Sequence, residues 1–129
     1  MIAKELLQPK ADAMNGYLQE KSGDEPNEII DRIQNLSILV SQSGEYLAAA
    51  KYYHDSLIHS ELMKAIREGY NDKLTASALN KLVNALAKEE SFLVNQFDRI
   101  NSSATHQLDG LRSILSYRKT EFSSLNYTK

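Results

Sequence analysis

The stretch NEIIDRIQNLSILVSQSGEYLAAAKYYHDSLIHSELMKAIRE, residues 27–68, decides the fold. It contains no proline and a single glycine, Gly44. Apolar residues recur every three or four positions, with Ser43 and His54 filling two places in the row: Ile29, Ile33, Leu36, Val40, Leu47, Ala50 and Leu57. A period of about 3.5 residues puts such a row on one face of an α-helix. At 1.5 Å per residue, the stretch predicts a helical rod of roughly 60 Å.

A second stretch with the same rhythm follows a polar break. Residues 69–75, GYNDKLT, are rich in turn-forming residues, and Thr75 is expected to cap the next helix. From Ala76 to about Phe122 the apolar row resumes: Leu79, Val83, Leu86, Leu93, Phe97, Ile100, Ala104, Leu111 and Ile114. We predict one continuous helix here. Because glycine costs about 1 kcal/mol relative to alanine inside a helix, we expect Gly110 to mark a close helix contact.

Two long helices joined by a short turn must lie antiparallel. The predicted fold is therefore all-α: a long two-helix hairpin over residues 26–129, preceded by a short N-terminal helix or arm over residues 1–25. Folding the chain about residue 72 brings His54 opposite Glu90, each of which interrupts an apolar row. We therefore predict a buried His54–Glu90 pair.

Each predicted helix also carries a flanking apolar row, such as Leu39, Tyr46 and Tyr53 on the first. Three rows require more than one neighbouring helix, and a fully buried large apolar side chain contributes about 1.5–3 kcal/mol. We therefore expect the hairpin to assemble into an oligomeric helical bundle, with the N-terminal segment covering part of the remaining surface. The candidate interface residues are Tyr46, Tyr53, Phe97, Ile100, Leu108, Leu111, Leu115 and Phe122.

Composition narrows the chemistry of the chain. It has no cysteine, and its three histidines lack the spacing of a metal-binding helix face. Neither a nucleophile elbow nor a glycine-rich phosphate loop is present. We predict a protein that is not an enzyme, with no metal, cofactor or small-molecule substrate. No stretch approaches the roughly 18 apolar residues of a membrane span and no signal peptide is visible, so we expect no membrane partner and a cytoplasmic location.

Charge is distributed unevenly along the chain. The net charge is −2, but basic residues collect around the predicted turn: Lys64, Arg67, Lys73, Lys81 and Lys88. Together with Tyr70, such a cluster can hold phosphates and stack a base. The alternative interpretation is an ordinary solvated helix surface, since Glu61, Glu68 and Asp72 are interleaved.

Two segments carry a family resemblance. Residues 108–119, LDGLRSILSYRK, together with residues 48–53, AAAKYY, resemble the UvsY-type recombination mediators of phages. The resemblance implies an oligomer that binds single-stranded DNA and helps load a recombinase onto strands coated with single-strand-binding protein, in the bacterial host cell. It also implies a DNA-binding stretch beside the paired tyrosines, where this chain offers Lys51, and assembly through the C-terminal helix.

We therefore expect a non-enzymatic, oligomeric helical accessory protein, of the recombination-mediator type. Two other interpretations stay open. One is a protein-interaction module, an adaptor or inhibitor from a phage or mobile element, that uses Tyr46 and Tyr53 on another protein. The other is a small virion or scaffold component.

Overall fold

The computed structural model describes residues 1–69 and 72–127, with side chains described through residue 121. A short 3-10 turn, Lys4–Leu6, leads into α1, Leu7–Gln19. Three further helices follow: α2, Pro26–Arg67; α3, Ala76–Leu86; and α4, Lys88–Tyr127. Every element in the described part of the chain is helical, which confirms the all-α prediction.

The hairpin has the predicted register. Asn101 on α4 donates from Nδ2 to Ser43 Oγ and to the Val40 carbonyl on α2, each at 2.9 Å. Further along, the rings of Tyr46 and Phe97 meet edge to face, with centroids 5.7 Å apart. These pairs run antiparallel, and positions 43 and 101 are equally distant from residue 72. The chain therefore folds back where the sequence predicts, and Thr75 caps α3 by accepting from the Ala78 N–H at 3.1 Å.

The second long helix is broken, where the sequence predicts continuity. Ala87 leaves the helical conformation (φ −101°, ψ 21°), and α4 starts at the next residue. Alanine is the best helix former, so no local signal marks this position. The break instead lets α3 bury Leu79 and Val83 against α2 while α4 keeps its own apolar row on the hairpin.

Two regions share the hairpin. We call residues 58–69 and 72–86 the tip, and α1, residues 26–57 and α4 the body. The body contains the larger core: Leu7, Ala11, Met14, Leu36, Leu39, Ala49, Ala50, Phe97, Ile100, Ala104 and Leu108. The tip core consists of Ala65, Leu79 and Val83, with Ile58 and Leu62 packed against it. Three helices meet in the body, whereas the described part of the tip is built mainly from the contact of α2 with α3.

The N-terminal helix covers the hairpin, as the sequence predicts. Leu7, Ala11 and Met14 fall on one face of α1 and are 0%, 0% and 7% exposed. They bury the flanking row of the hairpin, so that Leu39 and Leu108 retain only 7% exposure each. The sequence predicts that other subunits bury part of this apolar surface, but α1 of the same chain buries much of it.

Polar contacts fix both ends of α1. At its start, Lys4 Nζ donates to Glu90 Oε1 at 3.1 Å. At its end, Arg32 Nη2 donates to the carbonyls of Tyr17 and Glu20 at 3.0 and 3.1 Å. The guanidinium also lies 4.0 Å from the centroid of the Tyr17 ring. Helix C-terminal carbonyls lack intrahelical partners and carry partial negative charge, so a buried arginine stabilises this end.

The expected close contact at Gly110 is absent. A Cβ atom added at Gly110 meets nothing within 4 Å, and the residue is exposed. The prediction is wrong because the space beside Gly110 is open: it belongs to a groove of about 210 Å³ that Glu20, Arg32 and Gln107 also line. In the part of the chain that is described, no helix combines the length and apolarity needed to cross a bilayer.

Candidate nucleic-acid interface

The structure brings five of the predicted basic residues to one end of the hairpin. Lys64 and Arg67 lie in the last turns of α2, Lys73 precedes α3, Lys81 lies on α3, and Lys88 begins α4. All five side chains are exposed. They are here called the basic group. Tyr70, predicted to stack a base beside them, lies outside the described residues.

None of the basic group is held in an ion pair. The salt bridges found among residues 1–69 and 72–121 join Lys4 to Glu90, His54 to Asp55, and Arg112 to Asp109. The ammonium and guanidinium groups of the basic group are therefore hydrated and able to meet an anion, which is the arrangement that phosphate contacts require.

Acidic residues lie at the same end of the hairpin. Glu61, Glu68, Asp72 and Glu89 bring four negative charges beside the five positive ones. Glu61 and Glu68 line a groove of about 230 Å³ between α2 and α3, and Lys64 lines it with them. The charge balance at the tip is close to neutral, so one copy offers separate cations rather than a strongly positive surface.

Lys51 is separated from the basic group. It is exposed on the body part of α2, 13 residues before Lys64, which corresponds to about 20 Å along the helix. Its neighbour Tyr52 is 57% exposed, with its ring 5.7 Å from the ring of Tyr53. Tyr52 lies one position outside the apolar row that contains Tyr46 and Tyr53, so its ring faces water. The sequence predicts a core or subunit-contact role for all three tyrosines, and for Tyr52 a contact with another molecule stays a prediction.

Three of the predicted interface residues lie in the interior of the chain. Phe97, Ile100 and Leu108 are 0%, 1% and 7% exposed and pack within the body core. The expectation that they face another subunit is corrected in this conformation, because α1 supplies the neighbour that a lone hairpin lacks. Contact with a second copy at these positions would require the chain to open.

The other predicted interface residues differ in their surroundings. Tyr46 packs on Phe97, and the Tyr53 hydroxyl donates to the Ile2 carbonyl at 2.6 Å, so both tyrosines have partners within the chain. Leu111 and Leu115 are half-buried. The side chain of Phe122 lies outside the described residues.

The predicted His54–Glu90 pair is wrong. His54 Nδ1 lies 3.0 Å from Asp55 Oδ1, and Glu90 instead accepts from Lys4. Glu90 is 6% exposed, and its second oxygen, Oε2, is buried without a hydrogen-bond partner in the structure. The hairpin register places position 54 level with position 90, but the N-terminal segment enters beside Glu90 and supplies its partner.

Large apolar side chains are also exposed, and they concentrate in the tip. Five of the thirteen that the structure shows as exposed lie there: Met63, Ile66, Leu74, Leu82 and Leu86. Leu82 and Leu86 line the same groove as Glu61, Lys64 and Glu68. The tip thus presents apolar and charged side chains together.

Searches of the chain against family models, curated proteins and solved structures give no match. Within residues 1–69 and 72–127, no three histidine, aspartate or glutamate side chains form a group that could hold a metal ion.

Proposed function

We propose that this protein is a non-enzymatic helical accessory protein that binds single-stranded DNA through the basic group, which lies on the tip and at the start of α4. In the form that the resemblance implies, it is an oligomeric phage-type recombination mediator that assists the loading of a recombinase. The observation that carries the proposal is the basic group: five exposed cations at one end of the hairpin, none in an ion pair within the described residues.

The mechanism is electrostatic capture of the backbone. Lysine and arginine side chains replace the counterions condensed on a strand, and the released ions drive binding. Arg67 can contact a phosphate with two parallel N–H groups, and the exposed Lys73 and Lys81 can each contact another phosphate. Because acids are interleaved, one copy binds weakly, and useful affinity comes from several copies along one strand.

A salt titration tests the proposal. The full chain is mixed with a fluorescein-labelled single-stranded oligonucleotide, and fluorescence anisotropy is followed as salt increases. Log affinity should fall linearly with log salt, and removing two phosphate contacts with Lys73→Gln and Lys81→Gln should reduce that slope by about 1.4.

The matched control is Lys10→Gln with Lys21→Gln, which changes the net charge equally at two exposed positions outside the tip, one on α1 and one between α1 and α2. It should leave the slope unchanged. Absence of binding at low salt, or an equal loss in both double variants, would contradict the proposal.

A further inference from the structure

About half of the apolar face of α3 is buried in the described part of the chain, and the other half is exposed. Leu79, Leu82, Val83 and Leu86 recur at the spacing of a single helical face. Packing against α2 buries Leu79 to 8% and Val83 to 4% exposure. Leu82 and Leu86 stay 45% and 54% exposed. In the body, the equivalent lack of a third neighbour is met by α1, which covers the flanking row of the hairpin.

The charges around these two leucines are of both signs. Lys64 lies in the groove with Glu61 and Glu68, and none of the three is in an ion pair among the described residues. A patch of a single sign would repel a copy of itself. A patch that holds both signs beside an apolar ridge can pair with itself about a two-fold axis, as isologous interfaces do.

We infer that two copies of this chain associate through their tips. The α3 helices lie antiparallel about a two-fold axis, and Leu82 and Leu86 of each copy enter the groove between α2 and α3 of the other. Lys64 of each copy then faces Glu61 or Glu68 of its partner. The second copy supplies a third neighbour for the described part of the tip, and Leu82 and Leu86 are not among the eight interface residues that the sequence predicts.

This inference does not depend on nucleic-acid binding, and it is tested without any. The mass of the full chain is measured by sedimentation equilibrium over about 1–100 μM, the range in which small interfaces dissociate. It should rise from that of one chain to that of two. Leu82→Gln with Leu86→Gln should raise the dimer dissociation constant by at least about tenfold, since two half-exposed leucines lose their burial.

The matched control changes two exposed apolar residues of the body. Ile30 and Ile38 are 41% and 56% exposed on α2, so Ile30→Gln with Ile38→Gln removes a comparable apolar surface. This variant should dimerise as the unmodified chain does. A chain that stays monomeric throughout, or that loses association equally in both double variants, would overturn the inference.

Charge exchange sharpens the test. Lys64→Glu alone should weaken the dimer, and so should Glu61→Lys with Glu68→Lys, because each brings like charges together. An equimolar mixture of these two proteins should recover a heterodimer. Failure of the mixture to associate better than either protein alone would rule out the proposed pairing.

Disulfide cross-linking tests the proposed contact without replacing the leucines or the charged residues that form it. The chain has no cysteine, so Ala85→Cys introduces a single thiol on an exposed position of α3 between the two leucines. Mild oxidation should give a disulfide-linked dimer much faster than it does for Ser41→Cys, an exposed position on the body part of α2. Equal rates at the two positions would count against tip-to-tip contact.

Discussion

The body and the tip follow the same seven-residue rhythm but bury it to different extents. In the body, α1 lies on α2 and α4, and the central side chain Phe97 is fully buried. In the described part of the tip, α3 packs mainly against α2, and apolar side chains such as Leu82 and Leu86 are about half exposed. The difference shows that the apolar period determines which residues share a helix face. The number of neighbouring helices determines how much of that face is buried from solvent.

The largest loss of stability is expected for a substitution at the centre of the body. Phe97→Ala removes a fully buried ring and its edge-to-face contact with Tyr46. We expect a loss of about 3–5 kcal/mol in the free energy of unfolding, as for other buried aromatic truncations. Urea denaturation followed by circular dichroism measures this loss. Phe92→Ala, at a 61% exposed position five residues earlier, is the control and should change stability by less than about 0.5 kcal/mol.

An intermediate loss of stability is expected for a substitution at Arg32, which holds the C-terminal end of α1. Arg32→Met keeps much of the apolar stem but leaves the carbonyls of Tyr17 and Glu20 without their donor. Hydrogen bonds to charged groups contribute about 1.5–3 kcal/mol, so unfolding free energy should fall by that amount. Hydrogen exchange should accelerate in α1 and leave α3 unchanged. Faster exchange in α3 would show that body and tip are coupled.

The smallest effect is expected in the core of the tip. Val83→Ala removes two methyl groups from a side chain that is 4% exposed. The expected loss is about 1–2 kcal/mol, and it should accelerate hydrogen exchange in α3 while α1 and the middle of α4 keep their protection. A loss as large as that of Phe97→Ala would mean that the tip and the body unfold as one unit.

The helices and their register could be predicted because both depend on local spacing. The 3.5-residue period and the polar residues around Thr75 are sufficient to place the fold-back. The partner of Glu90 could not be predicted, because Lys4 is 86 residues away in sequence. The break at Ala87 was missed for a related reason: tertiary packing overrides the strong helix preference of alanine.

In the candidate site, too, some features follow from local spacing and others depend on tertiary packing. Exposure of the basic group follows from its position on the outer faces of the helices, and the sequence predicts it. The fate of Phe97, Ile100 and Leu108 depends on whether α1 or another subunit covers them, and periodicity does not distinguish these neighbours. Leu86 shows the opposite outcome: its apolar row predicts burial, yet it is 54% exposed in the described part of the chain.

Three polar contacts between the N-terminal segment (the 3-10 turn and α1) and α4 have a consequence for biosynthesis. Lys4 with Glu90, Gln8 with Gln96, and Gln107 with the Leu18 carbonyl join residues that are 86 to 89 positions apart. A ribosome completes α1 long before it makes the residues that receive it, and a helix of 13 residues is marginal on its own in water. Its contacts with α4 can therefore form only after residues 90–107 have been synthesised, whereas its contacts with Arg32 on α2 can form earlier.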